Sequence, residues 1–294
     1  MPAEGIDFAE RDDLMTYEDI VRICKVMAGL GVSKVRLTGG EPFVRKEIGV
    51  LLQSLAQIFP SVHITTNATL LHKHMSLLQD IGVSGLNISI DSLERERFFM
   101  ITRRDDHDLV RANIEAAIKH GLPTKLNVVV MKGVNSMEII DFVQYGMELG
   151  VAVRFIEAMP FNDDDGNRDV FMPATDIVNE IQQHYPNLTK LSATGPSSAD
   201  SYAIDDYRLG VIPAYTRSLC ASCNRIRLTP KGELLTCLYA QTGKDMLSLL
   251  RNTATTDDDI AAAIITAVSH KKQTGYDEES VQQGAYRSMT TIGG

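Results

Sequence analysis

The sequence has little that would direct it to a membrane, to nucleic acid or out of the cell. No apolar run in its 294 residues reaches the length needed to cross a bilayer. There is no basic excess. The 29 Lys and Arg stand against 38 Asp and Glu, a net charge of -9, which argues against a general nucleic-acid binder but leaves room for a local basic pocket. The segment from Met1 to Asp13 is polar and acidic, unlike a signal peptide or an Arg-rich transit peptide, so a cytoplasmic location is expected. Cysteine is scarce: Cys24, Cys220, Cys223 and Cys237 are too few and too clustered for a secreted disulfide scaffold. No G-x-G-x-x-G follows a strand pattern, which weighs against an open dinucleotide-binding sheet.

What is present, up to about Glu157, is an alternation of helical and strand patterns. Thr16 to Leu30 reads as a helix: Thr16 and Asp19 make a capping-box-like start, and Ile20, Ile23, Cys24, Met27 and Leu30 recur at helical spacing. Strand-like runs follow at Lys34–Leu37, His63–Thr65, Leu86–Ile90, Lys125–Met131 and Val151–Ile156. Helical stretches lie between them at Lys46–Phe59, Leu70–Ile81, Asp108–His120 and Met137–Leu149, and many helices end near a glycine (Gly31, Gly82, Gly121, Gly150). This alternation predicts an α/β fold with a parallel sheet, and five such units favour a full or partial barrel. The chain opens on a helix. In a βα barrel each helix covers the strand before it, so either the fold starts unusually or a first strand lies upstream.

Beyond Met159 the character changes. Phe161–Asp169 reads as a loop, Ala174–Tyr185 as a helix and Leu191–Ser201 as a flexible surface segment. Tyr207–Ile212, Arg225–Thr229 and Glu233–Cys237 read as strands, with Pro230-Lys231-Gly232 as a hairpin turn, and short helices are expected near Asp245–Arg251 and Asp257–His270. The expected organisation is a barrel over residues 1–159 and a C-terminal extension over 160–294.

The strongest motif is Cys220-Ala221-Ser222-Cys223, followed after thirteen residues by Cys237. Structural zinc usually takes four ligands. A 4Fe-4S cluster can be held by three cysteines with one iron left for an external ligand, although four is the usual complement. Zinc with an unrecognised fourth ligand stays open as an alternative. Arg225-Ile226-Arg227 follows closely, and alternate strand residues share a face, so two guanidiniums point together beside the thiols; the bland alternative is a solvated strand face. Arg36-Leu37-Thr38-Gly39-Gly40-Glu41-Pro42 follows a strand, where paired glycines let backbone approach a ligand, unless it is a plain βα turn. Weaker signals at strand ends are Thr65-Thr66-Asn67, Ser89-Ile90-Asp91, Lys125-Leu126-Asn127 and Arg154-Phe155-Ile156-Glu157. Cys24 lies on an apolar helix stripe and reads as an inert core thiol.

Together these residues resemble the GTP 3′,8-cyclase family of radical S-adenosylmethionine enzymes, which makes the first intermediate of molybdenum-cofactor biosynthesis. The likeness runs from Met1-Pro2-Ala3-Glu4-Gly5, through the Leu37-to-Pro42 and Arg154-to-Glu157 motifs and the spaced cysteines, to Gly293-Gly294. It implies a partial (β/α)6 TIM-like barrel, here lacking its first strand, with a C-terminal α+β extension carrying an iron–sulfur site. It implies a 4Fe-4S cluster on Cys220, Cys223 and Cys237 whose open iron faces guanine. S-adenosylmethionine would contact Gly40, Ser89 and Met159. GTP would be lined by Arg36, Thr65, Lys125, Arg225, Ile226 and Arg227, with Arg154 nearby. In the family's lyase reaction a 5′-deoxyadenosyl radical removes hydrogen from ribose C3′, and C3′ then attacks guanine C8 to give 3′,8-cyclo-7,8-dihydro-GTP. The implied partners are an electron donor and cyclic pyranopterin monophosphate synthase, with no nucleic acid and no membrane; a homodimer is compatible with the resemblance.

The sequence departs from the family at two places. The C-x-x-x-C-x-x-C of a second, S-adenosylmethionine-cleaving 4Fe-4S cluster is absent, together with the first strand and an upstream arginine. The expectation is therefore a member truncated at an internal methionine and inactive as written. The alternatives are a non-catalytic GTP- and iron–sulfur-binding derivative, and a zinc-containing (β/α)-barrel hydrolase or aldolase. Ala68 also stands where a glycine usually follows Thr-Thr-Asn, so a slightly different turn is expected there.

Overall fold

The computed structural model describes residues 10–159, 169–192, 199–216, 220 and 223–280. The expected loop lies outside them at 161–168, as do 193–198 of the expected surface segment, the Met1–Gly5 motif and the Gly293-Gly294 tail.

Helix α1 (Tyr17–Gly29) begins where its cap residues dictate. Thr16 Oγ1 accepts from the Asp19 amide at 3.1 Å and the Asp19 carboxylate accepts from the Thr16 amide at 2.9 Å, which satisfies two otherwise orphaned donors. Strands β1 (Lys34–Leu37), β2 (Ser61–Thr66), β3 (Gly85–Ser89), β4 (Thr124–Val130) and β5 (Ala152–Glu157) then lie side by side, parallel and in chain order. The crossovers are made by α2 (Ile48–Ile58), α3 (Met75–Asp80), α4 (Arg95–Thr102) with α5 (His107–Lys119), and α6 (Ile139–Leu149). The expected helix Leu70–Ile81 is broken into a 3-10 turn (Leu71–Lys73) and α3, and Met137–Leu149 opens on a 3-10 turn (Ser136–Glu138). Helix α4 carried no periodic signal, because only Phe98 of its residues is buried. An ion pair holds it instead: Arg97 Nη1 meets the buried Glu138 carboxylate at 2.6 Å.

The sheet continues past the expected division at 159/160. Strand β8 (Tyr207–Ile212) pairs in parallel with β5, Arg154 opposite Gly210, and β7 (Asp200–Ile204) and β6 (Thr189–Lys190) extend the same sheet antiparallel. The second half of the chain thus supplies a further parallel strand after α7 (Ala174–His184). Among the described residues β1 forms the opposite edge.

A small lobe follows. Strands β9 (Arg227–Leu228), β10 (Glu233–Leu235) and β11 (Lys244–Asp245) are antiparallel, and the expected Pro230-Lys231-Gly232 turn joins the first two. Gly232 has φ 77°, and a Cβ there would stand 2.7 Å from that of Leu247, so the turn needs glycine twice over. Both strands are shorter than expected, and the cysteines lie beyond the ladder. Helices α8 (Leu247–Arg251), α9 (Asp257–Ser269) and α10 (Gly275–Ser280) complete the lobe. Met15, Ile23 and Met27 pack against its Leu234, Met246, Leu250, Ile260 and Ile264. Arg22 crosses the same seam to Asp257 at 2.8 Å and to the Leu250 and Thr255 carbonyls.

Strand alternation decides what faces where. Val62 and Ile64, Leu86 and Ile88, Leu126 and Val128, and Val153 and Phe155 are buried beneath the helices. The opposite face of the sheet carries His63, Thr65, Asn87, Lys125, Asn127 and Arg154, with Val129 and Ile156 further along β4 and β5. At the end of β5 the fully buried Glu157 gathers the two halves of the chain. Its carboxylate accepts from the Ala174 amide at 2.7 Å, from the Tyr215 and Thr216 amides at 2.8 Å, and from Thr216 Oγ1 at 3.0 Å. Charge-assisted bonds of this kind are worth roughly 1.5–3 kcal/mol each and do not add fully. Glu157→Ala should lower unfolding free energy by about 3 kcal/mol in urea titration, with Glu157→Gln intermediate.

Candidate functional site

The register brings a set of polar side chains onto one stripe inside the curved sheet. Arg36 on β1 stands opposite His63 on β2, Thr65 opposite Asn87 on β3, Asn87 opposite Lys125 on β4, and Asn127 opposite Arg154 on β5. Lys34, two residues before Arg36, joins the same face. A chain of hydrogen bonds crosses the strands. Arg154 Nη2 donates to Asn87 Oδ1, Asn87 Nδ2 to Thr65 Oγ1 at 3.4 Å, and Arg36 Nη1 to the same hydroxyl at 3.5 Å. Small residues make the space: a Cβ on Gly85 would lie 2.3 Å from His63 Nδ1, and one on Gly210 3.1 Å from Arg154 Cγ. Arg154 Nε and Asn127 Oδ1 are buried without a hydrogen-bond partner among the described residues.

These cations repel one another at close quarters. Burial, then the neighbouring Arg36, pushes Arg154 down to about 10. Burial and the charges of Arg154, Lys34 and Arg36 lower Lys125, and burial, Arg36 and Arg154 lower Lys34. Arg36 is lowered by burial and by Arg225, which reaches in from the lobe. Arg227 is pushed down to about 10 by burial and Arg225, with Cys223 and Cys237 acting in the opposite sense. At about 10, Arg154 and Arg227 remain charged at neutral pH. Among the described residues no carboxylate pairs with Lys34, Arg36, Lys125 or Arg154. His63 sits among them with Nε2 3.0 Å from Ser61 Oγ, and burial with the four charges pushes it down to about 4. It is a neutral imidazole in a positive field.

The cavity in front of this stripe holds about 2840 Å³ and runs from the Gly39-Gly40 loop to Arg225, Ile226 and Arg227. Glu41 fixes the loop: its carboxylate accepts from Thr66 Oγ1 at 2.8 Å and from the Asn67 and Phe43 amides at 2.7 and 3.1 Å. The turn after β2 keeps the backbone that glycine favours. Ala68 has φ 62° and is fully buried, its amide donates to Thr66 Oγ1 and its carbonyl accepts from Asn113 Nδ2 at 2.8 Å. Burial of the methyl offsets part of the left-handed cost of roughly 1–2 kcal/mol. Gly40 and Ser89 line the cavity; Met159 does not, its sulfur lying 3.7 Å from the Tyr239 hydroxyl.

No disulfide involves the three lobe cysteines. The Cys223 amide donates to the Cys220 carbonyl at 2.9 Å, and the Tyr239 amide to Cys237 Sγ at 3.5 Å. Burial opposes ionisation of Cys223, but the Arg225 amide and guanidinium and the Lys271 ammonium outweigh it and lower its pKa. Cys237 is raised by burial, with Glu278 and Cys220 adding to the rise. The expected convergence is incomplete: among the described residues no three His, Cys, Asp or Glu side chains stand close enough to hold a metal ion as they are. The donor chemistry nevertheless fits an iron–sulfur group, with soft thiolates that sense one another and cations to compensate their charge. Cys24, at about 12 through burial, is inert as expected. Lys34, His63 and Asn87 were not singled out from the sequence, although each lies two residues from one that was. Lys271 had no such signal.

Two family models divide the chain between them. The Radical SAM superfamily matches residues 5–146 and Molybdenum Cofactor Synthesis C matches 151–276. The GTP 3′,8-cyclase of Hydrogenovibrio crunogenus is 36% identical, the match covering 100% of this chain and 91% of that protein. The chain belongs to the GTP 3′,8-cyclase family. The mitochondrial GTP 3′,8-cyclase of Arabidopsis thaliana is 34% identical over 100% of this chain and 76% of that protein. Molybdenum cofactor biosynthesis protein 1 of Dictyostelium discoideum is 35% identical, and there the chain spans about half the relative's length, 48%. Among solved structures, Streptococcus suis SuiB bound to S-adenosylmethionine superposes with a TM-score of 0.59 at 17% identity, covering 82% of this chain and 60% of that one, a likeness of fold. No helix among the described residues is long and apolar enough to cross a membrane.

The cation-rich cavity gives a pH signature. The His63 pKa is depressed from 6.5 to about 4, so between these values the unfolded chain binds the proton that the folded chain refuses. This share of stability is present above pH 6.5 and is lost as pH falls toward 4. In denaturation series from pH 7 to 5, His63→Gln should lose less stability than the unaltered protein.

Proposed function

We propose that this chain carries the nucleotide-binding barrel of a GTP 3′,8-cyclase, with the inner face of the sheet gripping the triphosphate of GTP. The observation that carries this reading is the set of Lys34, Arg36, Lys125 and Arg154, which face one cavity with no carboxylate partner among the described residues. A multiply charged anion relieves their mutual repulsion where a neutral ligand does not. Guanidiniums suit phosphate oxygens because their N–H groups form a fixed fork. Arg225 and Arg227 close on the same space from the lobe, with Ile226 between them. The buried, unpartnered Asn127 Oδ1 is an acceptor available to a ribose hydroxyl or a base amino group. Thr65, already accepting from Arg36 and Asn87, keeps the stripe in register.

S-adenosylmethionine is assigned to the cavity's other end, at Gly40 and Ser89. Cys220, Cys223 and Cys237 would hold a 4Fe-4S cluster, which supplies an open iron as a Lewis-acidic anchor for guanine. In the proposed reaction ribose C3′ gives up its hydrogen atom and becomes bonded to guanine C8 of the same GTP, the C8–N7 double bond becomes single, and N7 gains hydrogen as a proton plus one electron from the electron donor, giving 3′,8-cyclo-7,8-dihydro-GTP on the route to molybdenum cofactor. An electron donor and a cyclic pyranopterin monophosphate synthase are the partners that this chemistry calls for. The part of this chain's own residues is to anchor the triphosphate, orient the nucleoside and keep the barrel floor positive. With Cys24 buried at about 12, the 294 residues by themselves offer ligands for one cluster only. This favours a second reading for them alone: GTP and one cluster bound, without cleavage of S-adenosylmethionine.

The test is GTP binding by calorimetry on anaerobically reconstituted protein. Arg227→Ala and Lys125→Ala should each weaken GTP about tenfold or more, corresponding to roughly 1.5–3 kcal/mol for a charge-assisted contact. Affinity should also fall steeply with added salt. Unchanged affinity in folded variants would remove the phosphate assignment. The same preparation should contain one 4Fe-4S cluster and release no 5′-deoxyadenosine; turnover would exclude the second reading.

A further inference from the structure

Lys271 follows α9 and belongs to neither segment that carries the lobe cysteines, yet its ammonium lies between them. Nζ donates to the Arg225 carbonyl at 2.6 Å, to the Thr236 carbonyl at 2.6 Å and toward Cys223 Sγ at 3.8 Å. An ammonium has three protons and no acceptor, so these three partners match its donors in number. Arg225 stands two residues after Cys223, and Thr236 immediately precedes Cys237.

The place of these contacts in the hairpin explains what they do. The β9–β10 ladder ends with Arg227 opposite Leu235. Beyond that pair, toward the cysteines, no further ladder pairing joins the two segments among the described residues. The Lys271 ammonium spans the gap there, bonding one carbonyl from each side. It is held from behind by a well-anchored helix: α9 has a complete capping box at Thr256 and Asp259, buries Ile260 and Ile264, and is tied to α1 through Asp257. The Lys271 amide bonds the Val268 carbonyl at 3.0 Å, which fixes the side chain's point of departure.

We infer that Lys271 is a positioning residue for the three-cysteine site: it clamps the segments bearing Cys223 and Cys237 at a fixed separation and donates to the Cys223 sulfur. The role rests on the proposed iron–sulfur reading of the three thiols. A cluster on three thiolates gathers negative charge, more so when reduced, and an N–H donor with a full positive charge stabilises it, raising the reduction potential. Outer partners of this kind typically change metal affinity 10–100-fold when removed.

The experiment compares the full chain with Lys271→Met, Lys271→Arg and the neighbouring Lys272→Met after anaerobic reconstitution. Lys271→Met should lose iron to a chelator about tenfold faster and show a more negative midpoint potential by paramagnetic-resonance titration. Lys271→Arg, which can still reach both carbonyls, should retain iron near the original rate, and Lys272→Met should behave as the unaltered chain. In metal-free protein, amide hydrogen exchange over 223–226 and 236–239 should quicken in Lys271→Met. Unchanged exchange overturns the clamp. Faster iron loss at an unchanged potential overturns the sulfur contact. An unaltered chain that takes up no iron overturns the cluster reading, and the positioning role with it.

Discussion

Repulsion between like charges facing one another across the sheet is the constraint around which the barrel is arranged. Lys34, Arg36, Lys125 and Arg154 project to the same side because strand alternation allows nothing else once Val62, Ile64, Leu126, Val153 and their neighbours have been committed to the helices. Burial of that apolar layer is what holds the cations together against their repulsion. Neutral groups do the rest. Thr65 and Asn87 separate Arg36 from Arg154 with hydrogen bonds, and His63 stays uncharged among the ammonium and guanidinium groups. The empty layer that glycine leaves at Gly85 and Gly210 lets the long side chains lie flat against the sheet.

The same physics explains what could be read in advance. The strands of the barrel are short apolar runs between helical periods, so all five were expected within a residue or two of where they lie. The site residues that are legible are polar or charged residues set within or just after short apolar strands, as Arg36, Lys125 and Arg154 are. Lys34 and His63 begin or interrupt strands, and in isolation they look like ordinary solvated positions; only the register shows that they share a face with Arg36 and Lys125. Helix α4 escaped because an ion pair to Glu138 replaces an apolar stripe. Composition changes at 159/160, whereas β8 joins the barrel through hydrogen bonds that composition does not record.

The lobe is where local pattern carried least. The hairpin turn was legible because Pro230-Lys231-Gly232 dictates it, but the ladder ends earlier than the strand patterns do. The cysteine segments leave the sheet to meet something other than a strand. Lys271, next to an exposed Lys272 at the end of a helix, looks in sequence like one of a solvated pair. Its partners are 35 to 48 residues away, and all three are carbonyl or sulfur atoms, which leave no charge pattern to match.

Helix α1 has a further consequence. Its Cys24 packs into the barrel core, while Ile23 and Met27, one turn apart, pack into the lobe. A single thirteen-residue helix therefore serves as a wall of both cores, and Arg22 rivets it to the lobe. Two segments that match separate family models are in this way denied separate lives. Neither can melt without stripping apolar cover from the other, so the chain should unfold in a single concerted event. The positive floor of the barrel and the thiols of the lobe then share one fate: whatever loosens the helix between them uncouples both at once.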